Sequence, residues 1–360
     1  MTTVALSLSS SGTSGFARSC PGLAAFALAA GQWLIVQALF FLSLFVLTPI
    51  HSPAYAAAPL CLSGATKVLL PQPQGSQTDA LYAVLQAHWA GYTGASLAFE
   101  NRPGRGGSYA AAGLLDAKDS ACTLAAIQLP SFFLLASSAD SMFTPGDVDP
   151  VAVFASLPLA LWVAEDGPCT AMADVIAHMR AVIEQGDDVA AVAGAGSYTD
   201  QHLAFLQFER AAGVKGRYLP VLGSAEAAVA VQTGNAVACL AYAMPNQSMP
   251  GMRALAVAGA KRSPALPDVP TMRELAIDME SLTVFGLAVS ASLPEEKRSA
   301  YAAALAGLSG NADIVRSLAV LGAEAVSVPP LELAATLAAW AEQARNAVDD
   351  YTLIPRNRRR

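Results

Sequence analysis

The sequence predicts an α/β fold in two lobes, each a mostly parallel sheet flanked by helices, with a cleft between them. Three observations carry this reading. Short apolar strands alternate with helical stretches nearly to the end of the chain, the order of sheets covered by helices. Two strand ends run into loops of glycine and hydroxyl residues that open helices with Thr-Asp, at 78–79 and at 199–200. The chain passes from one set of units to the next through two apolar segments, 151–154 and 160–164, separated by Pro158. With 360 residues, 54% of them hydrophobic and 14% charged, there is material for sizeable cores. The net charge of −7, without clustered Lys and Arg in the body of the chain, leaves no footprint for nucleic acid.

The N-terminal segment has a different composition. From Cys20 through His51 there is no acidic residue, Lys or Arg, and 33–47 reads WLIVQALFFLSLFVL. Ala54-Tyr55-Ala56 behind it is a small-x-small site of the kind signal peptidases cut, so 1–57 reads as an export signal with Arg18 as its positive charge. The same uncharged run is long enough to span a bilayer as an uncleaved anchor. Ala58-Pro59-Leu60 ahead of Cys61 makes a poor lipobox. With either outcome the rest of the chain is expected outside the cytoplasmic membrane, in the periplasm. Cys61, Cys122, Cys169 and Cys239 then meet an oxidising compartment, where four cysteines permit three pairings. Cys61 and Cys122 each precede an expected parallel strand, which makes them candidate neighbours at one sheet end. Cys239 lies inside an apolar strand and reads as a buried thiol.

In order, a strand at 67–70 leads through the loop 71–77 to a helix from 78 to about 90. A strand at 96–100 enters the turn Gly104-Arg105-Gly106-Gly107 and an alanine-rich helix, and 123–128 is a third strand. After the two crossings come helix 171–184, strand 189–193, helix 199–212, strand 217–221, helix 224–233 and strands 236–241 and 253–258. A proline-rich connection fills 261–270, and 283–289 is the return crossing. Helices 294–308, 312–321 and 330–349 finish the chain, the last with Leu333, Leu337 and Trp340 as a core stripe at helical spacing. The expected domains are 58–160 with 285–350 as one lobe and 161–284 as the other. A flexible basic tail, 351–360, follows.

The two Thr-Asp loops are the chemical centre of this reading. Thr78 and Thr199 are expected N-caps, and the first N–H groups of a helix have no partners inside it. The helix dipole adds partial positive charge there, and glycine lets a ligand approach the backbone closely. Two such loops across a cleft can hold a carboxylate by N–H groups, hydroxyls and water, without an arginine. Asp79 and Asp200 sit in the first helical turns, either beside the ligand or as plain helix-start residues.

Other chemistries find little support. Gly196-Ser197 lacks the G-x-S-x-G pattern of a nucleophile elbow, and His202, five residues on, does not share the helix face of Ser197. His51, His88, His178 and His202 are scattered and form no metal-ligand spacing. The turn at Gly104 to Gly107 lacks the Gly-Lys-Ser/Thr of a nucleotide loop and an evident acidic partner for a ribose, so it reads as a tight corner that shapes one lobe. No catalytic residue, cofactor or metal is expected.

The residues also resemble a known family. Val68-Leu69-Leu70-Pro71 with Gly75 and Thr78-Asp79, Glu100-Asn101-Arg102-Pro103-Gly104-x-Gly106-Gly107, and Gln201-His202-Leu203 are its marks. So are Arg253-Ala254-Leu255-Ala256-Val257, Ser263-Pro264-Ala265-Leu266-Pro267-Asp268-Val269-Pro270-Thr271 and Leu321-Gly322-Ala323-Glu324. In this order they look like the substrate-binding proteins of tripartite tricarboxylate transporters, the Bug-type receptors, over about residues 65–350. The resemblance implies a monomeric periplasmic binding protein of type II fold that closes like a flytrap on a small organic carboxylate. It implies membrane permease subunits as partners; a receptor that senses its ligand and signals through a sensor kinase is the alternative reading. Carried over by position, Gln72, Gln74, Gly75, Ser76, Gln77, Thr78 and Asp79 pin the ligand from one side. Gly196, Ser197, Tyr198, Thr199 and Gln201 pin it from the other, with Tyr242 nearby. This chain departs from the family pattern at Gln72 (usually aromatic), Gly75-Ser76-Gln77, Val221-Leu222-Gly223 and Tyr242 (commonly Asp), and it lacks a Trp near Val284. The departures leave the fold expectation intact and offer no support for an amino-acid ligand; the added amides of Gln72, Gln74 and Gln77 suit a polar one.

Overall fold

A computed structural model describes residues 61, 64–118, 120–138, 141–184 and 190–351. The expected export signal or anchor, the tail beyond 351 and the first residue of the strand expected at 189–193 lie outside these residues.

The first units are β1 (Ala65–Leu70), α1 (Gln77–Thr93), β2 (Ser96–Asn101), the short α2 (Ser108–Ala112), β3 (Thr123–Leu129) and α3 (Ser131–Ala136). All seven residues of β3 are buried, as expected for an apolar run covered on both faces. β1 pairs in parallel with β2 and β3. A second group follows: α4 (Met172–Glu184), β5 (Ala191–Ala195), α5 (Asp200–Ala212), β6 (Arg217–Val221), α6 (Ser224–Gln232), β7 (Ala238–Tyr242) and β8 (Met252–Val257). Here β5 pairs in parallel with β6 and β7.

One strand joins the two groups. β4 runs unbroken from Val148 to Ala164, where the sequence suggested two strands parted by Pro158. Its first part pairs antiparallel with β9 (Leu282–Ser290) as far as Pro158, and from Leu159 it pairs with β7 and β8. Pro158 therefore stands where the strand changes partner, and its missing N–H costs no bond of either ladder. The sheet order is β2-β1-β3-β9-β4-β7-β5-β6, with β8 and the two-residue β10 (Glu324–Ala325) also on β4. All contacts of β4 and β9 are antiparallel, so the sheet is mixed rather than mostly parallel: both crossing strands run against their neighbours.

Helices α7 (Glu295–Ser309), α8 (Ala312–Val320) and α9 (Pro330–Tyr351) close the chain, and Leu333 of α9 is buried as the stripe predicts. Tyr82 of α1 is fully buried, and its hydroxyl donates toward the carbonyls of Ile127 and Gly286, which pins α1 across β3 and β9. Burial pushes its phenol far above the usual range. No described helix is long and apolar enough to cross a membrane.

Cys61 and Cys122 form a disulfide with Cα atoms 5.0 Å apart, as the strand starts suggested, while Cys169 and Cys239 are buried free thiols. The bond closes a sequence separation of 61 residues at the start of β1 and β3. Its loss through Cys61→Ser with Cys122→Ser is expected to cost about 4 kcal/mol, from the chain entropy released to the unfolded state. Urea unfolding of the variant checks this; an unchanged midpoint would show that the bond does not constrain the unfolded chain.

Candidate functional site

Both expected loops leave strand ends, and their side chains are arranged differently from one another. In the first, Ser76 rather than Thr78 caps α1: it is extended and its Oγ accepts the N–H of Asp79 at 3.3 Å. Thr78 lies inside the first turn, its Oγ accepting from the Gln128 amide. The Asp79 carboxylate folds back on its own loop, accepting the Gly75 N–H at 2.6 Å and the Asn101 amide at 2.9 Å. Asn101 also donates to the Gln72 carbonyl. The Gln72 amide faces Gln128 and is buried, while Gln74 is exposed. Asp79 is thus the brace of this loop, its helix-start role.

In the second loop, Gly196 and Tyr198 both take positive φ, and Thr199 caps α5 by accepting the N–H of His202. The Tyr198 N–H donates to His202 Nδ1 at 3.1 Å, and the imidazole stacks on Tyr218 at 4.4 Å. Burial pulls the His202 pKa down to about 4, so the ring is neutral at pH 7. With Nδ1 occupied by backbone, His202 braces the loop and is not poised as a base on Ser197.

The turn at Gly104 to Gly107 does more than shape one half of the molecule. A Cβ on Gly106 would lie 2.4 Å from the Ser197 carbonyl oxygen, and one on Gly107 would lie 3.1 Å from Pro71. The turn is therefore wedged between the two loops. Two side chains, making three hydrogen bonds in all, also cross the seam between the β1-β2-β3 half and the β5–β8 half. Gln77 Oε1 accepts the Ser224 hydroxyl at 2.9 Å and the Tyr242 N–H at 3.3 Å. In the opposite direction, Asp200 Oδ1 accepts the Ser131 N–H at 3.3 Å.

Beside Gln77 a cavity of about 260 Å³ opens between the starts of two helices. Gly75, Ser76 and Gln77 line it from α1, and Gly223 and Ser224 from α6, with Met244 behind. No Lys or Arg is among its lining residues, and Glu226 of α6 brings one carboxylate to the same wall. Gly223 is the N-cap of α6 and brings no side-chain cap, and Glu226 of the first turn stands close by, its Oε2 3.3 Å from where a Gly223 Cβ would lie. Gln77 is 7% exposed, and its Nε2 has no hydrogen-bond partner. A buried donor of this kind calls for an acceptor.

Of the residues expected at the site, Gln74, Gly75, Ser76 and Gln77 line this cavity. Gly196 through Gln201 lie along the seam outside its lining, with Thr199 and Gln201 buried, and Tyr242 meets Gln77 through its backbone. Gly223 and Ser224 escaped the sequence reading. The signal was present: 217–224 is a third strand end running through glycine into a helix.

The middle and end of the chain, residues 83–345, match the family model described as tripartite tricarboxylate transporter family receptor. The chain belongs to this receptor family. A curated relative, the UPF0065 protein in gbd 5'region of Cupriavidus necator, is 27% identical over 237 residues, 65% of this chain and 71% of that one. Among solved structures, MatC (Rpa3494) from Rhodopseudomonas palustris with bound malate is 23% identical with a TM-score of 0.69, covering 79% of this chain and 99% of its own. R. palustris Rpa4515 with adipate is 23% identical at a TM-score of 0.71, covering 81% and 99%. At these identities the two structures establish the shared fold.

The wedge at Gly106 is open to test. Gly106 has φ +63° and Gly213, at the end of α5, has φ +60° with open space around it. Gly213→Ala is expected to cost about 1 kcal/mol for its backbone alone. Gly106→Ala should cost about 1–3 kcal/mol more, because the methyl meets the Ser197 carbonyl. Equal losses in urea unfolding would show that the turn yields freely to the second loop.

Proposed function

We propose that this receptor captures a small organic carboxylate in the periplasm and delivers it to the permease subunits of a tripartite transporter, without catalysing a reaction. The observation that carries this reading is the cavity at the seam. Two helix starts and the buried Gln77 Nε2 converge there with no lysine or arginine, the donor set that suits an anion held by N–H dipoles. The volume suits a ligand smaller than the occupants of drug-sized pockets, which run to roughly 300–1,000 Å³. The two family-fold structures with malate and adipate support a dicarboxylate of that size. Neutral His202, held by the Tyr198 N–H, supports binding rather than hydrolysis at Ser197. The Cys61–Cys122 disulfide supports an oxidising compartment, in line with an N-terminal export signal.

In this reading the lobes are those expected from sequence, 58–160 with 285–350 and 161–284, and they close about β4 and β9. Loop residues 72–79 supply one wall. Gly196, Ser197, Tyr198, Thr199 and Gln201 position the opposite half, and Gly223 and Ser224 bring the second set of N–H groups. Gln77 serves both ligand and closure, because its carbonyl oxygen binds across the seam while its amide nitrogen faces the ligand.

A carboxylate library in thermal-shift and calorimetric titration tests this. Malate, adipate or a related dicarboxylate is expected to raise Tm and bind with Kd between submicromolar and millimolar. Gln77→Ala should weaken that binding at least tenfold, about 1.4 kcal/mol. Failure of every di- and tricarboxylate to bind, or full affinity in Gln77→Ala, would overturn the proposal. A second variant, Gly196→Val, places bulk 3.2 Å from Gly106 Cα and should weaken ligand binding through the seam.

A further inference from the structure

Asp200 stands at the start of α5 and is 2% exposed, the only Asp, Glu, Lys or Arg buried to that degree among the described residues. Its Oδ1 accepts the Ser131 N–H from the other half, and its Oδ2 is buried without a hydrogen-bond partner. The groups around it come from every neighbouring element. Tyr218 of β6 and Tyr242 of β7 both lie close enough to feel its charge, and Cys239 of β7 stands behind Tyr218. Thr283 of β9 turns its hydroxyl toward the carboxylate, and His202 of the same helix is neutral. No cation is among them. Burial pushes the Asp200 pKa up to about 7, outweighing the Ser131 and Thr283 hydroxyls and the Ser131 N–H, which favour the ionised form.

Ser131 and Thr283 belong to the half that contains β3 and β9, whereas Asp200 belongs to the half that contains β5 to β8. Parting the halves returns Asp200 to water, where a carboxyl titrates near 4. We propose that Asp200 is a proton site filled when the halves close on the ligand, so that this receptor binds its anion and a proton together. The proposal rests on the carboxylate-capture reading above. Its physical basis is charge: an anion and an ionised Asp200 would share one seam, with no Lys or Arg among the described residues lining the cavity and the Glu226 carboxylate already on its wall, and a proton removes the charge at Asp200.

The sign of the effect follows from linkage. Because the closed-state pKa is raised, closure takes up a proton between about pH 4 and pH 7 and weakens as pH rises through that window, becoming flat above it. Calorimetry of L-malate binding, run at pH 6.0 and 8.0 in two buffers of different ionisation heat, reads both affinity and proton uptake. The wild type is expected to take up close to one proton per malate at pH 6.0, to take up little at pH 8.0, and to bind about tenfold more weakly at the higher pH. Asp200→Asn should bind with the same Kd at both values. Malate's own protonation is common to both proteins and is subtracted. Equal proton uptake by wild type and variant at pH 6.0 would overturn the proposal.

The two readings fail differently. Malate that binds with equal proton uptake in wild type and Asp200→Asn refutes the proton site and leaves capture standing, whereas failure of every di- and tricarboxylate to bind refutes capture and with it the proton site that rests on it. Asp200→Ser, another helix-start residue, replaces the Asn variant if that one does not fold.

Discussion

A polar seam, with no Lys or Arg among the described residues that line its cavity, is the constraint on which the rest of the structure depends. Where the two halves of the sheet meet, helix starts, loop carbonyls and carboxamides are taken out of water together, and each buried polar group needs a partner. The halves supply them to each other. Gln77, at the start of α1, reaches across to accept the Tyr242 N–H, and Asp200, at the start of α5, reaches back to accept the Ser131 N–H. Each side chain satisfies a backbone donor that its own half leaves open. The seam is thereby specific in register, because a shift of either half leaves both donors buried and unpaired.

The same logic bears on the proposed ligand site. Three helices begin near the seam, and two of them use their own side chains at the N-cap: Ser76 for α1 and Thr199 for α5. The third, α6, begins at Gly223 and has no side chain to offer. In the proposed reading, an external anion completes its hydrogen bonding on the first N–H groups of α6 and the spare amide of Gln77. An anion held this way would meet dipoles instead of a fixed positive charge, and its recognition would depend on how closely the halves approach. That approach is set by the Gly106 turn, which admits no Cβ against the Ser197 carbonyl.

The points at which sequence reasoning went astray share a cause. Thr78 and Ser76 are both competent N-caps, and only the path of the loop into α1 decides which one is extended. Pro158 looks like a break because proline forfeits a ladder bond, yet β4 changes partner at that residue and loses nothing. The glycine turn at 104–107 looks like a local corner because the surface that makes its glycines necessary lies at 196–197, about ninety positions further along the chain. A mostly parallel sheet follows from strand–helix alternation, but the two crossing strands run against the rest. In each case the residue type was read correctly and the partner was remote.

Apolar strand segments alternating with helices, glycine and hydroxyl residues at strand exits, and an order of motifs shared with a receptor family were all legible in the sequence alone. Strand and helix periodicity, N-cap chemistry and glycine dihedrals act over a few residues, which is why fold class, most elements and the Gln74 to Gln77 wall could be read directly. The tertiary structure alone decided which helix starts share a cavity, that Gln77 and Asp200 cross the seam, and that Asp200 is dry. Those properties belong to pairs of groups far apart in the chain, and burial and charge at a seam come into being only when both sides are in place.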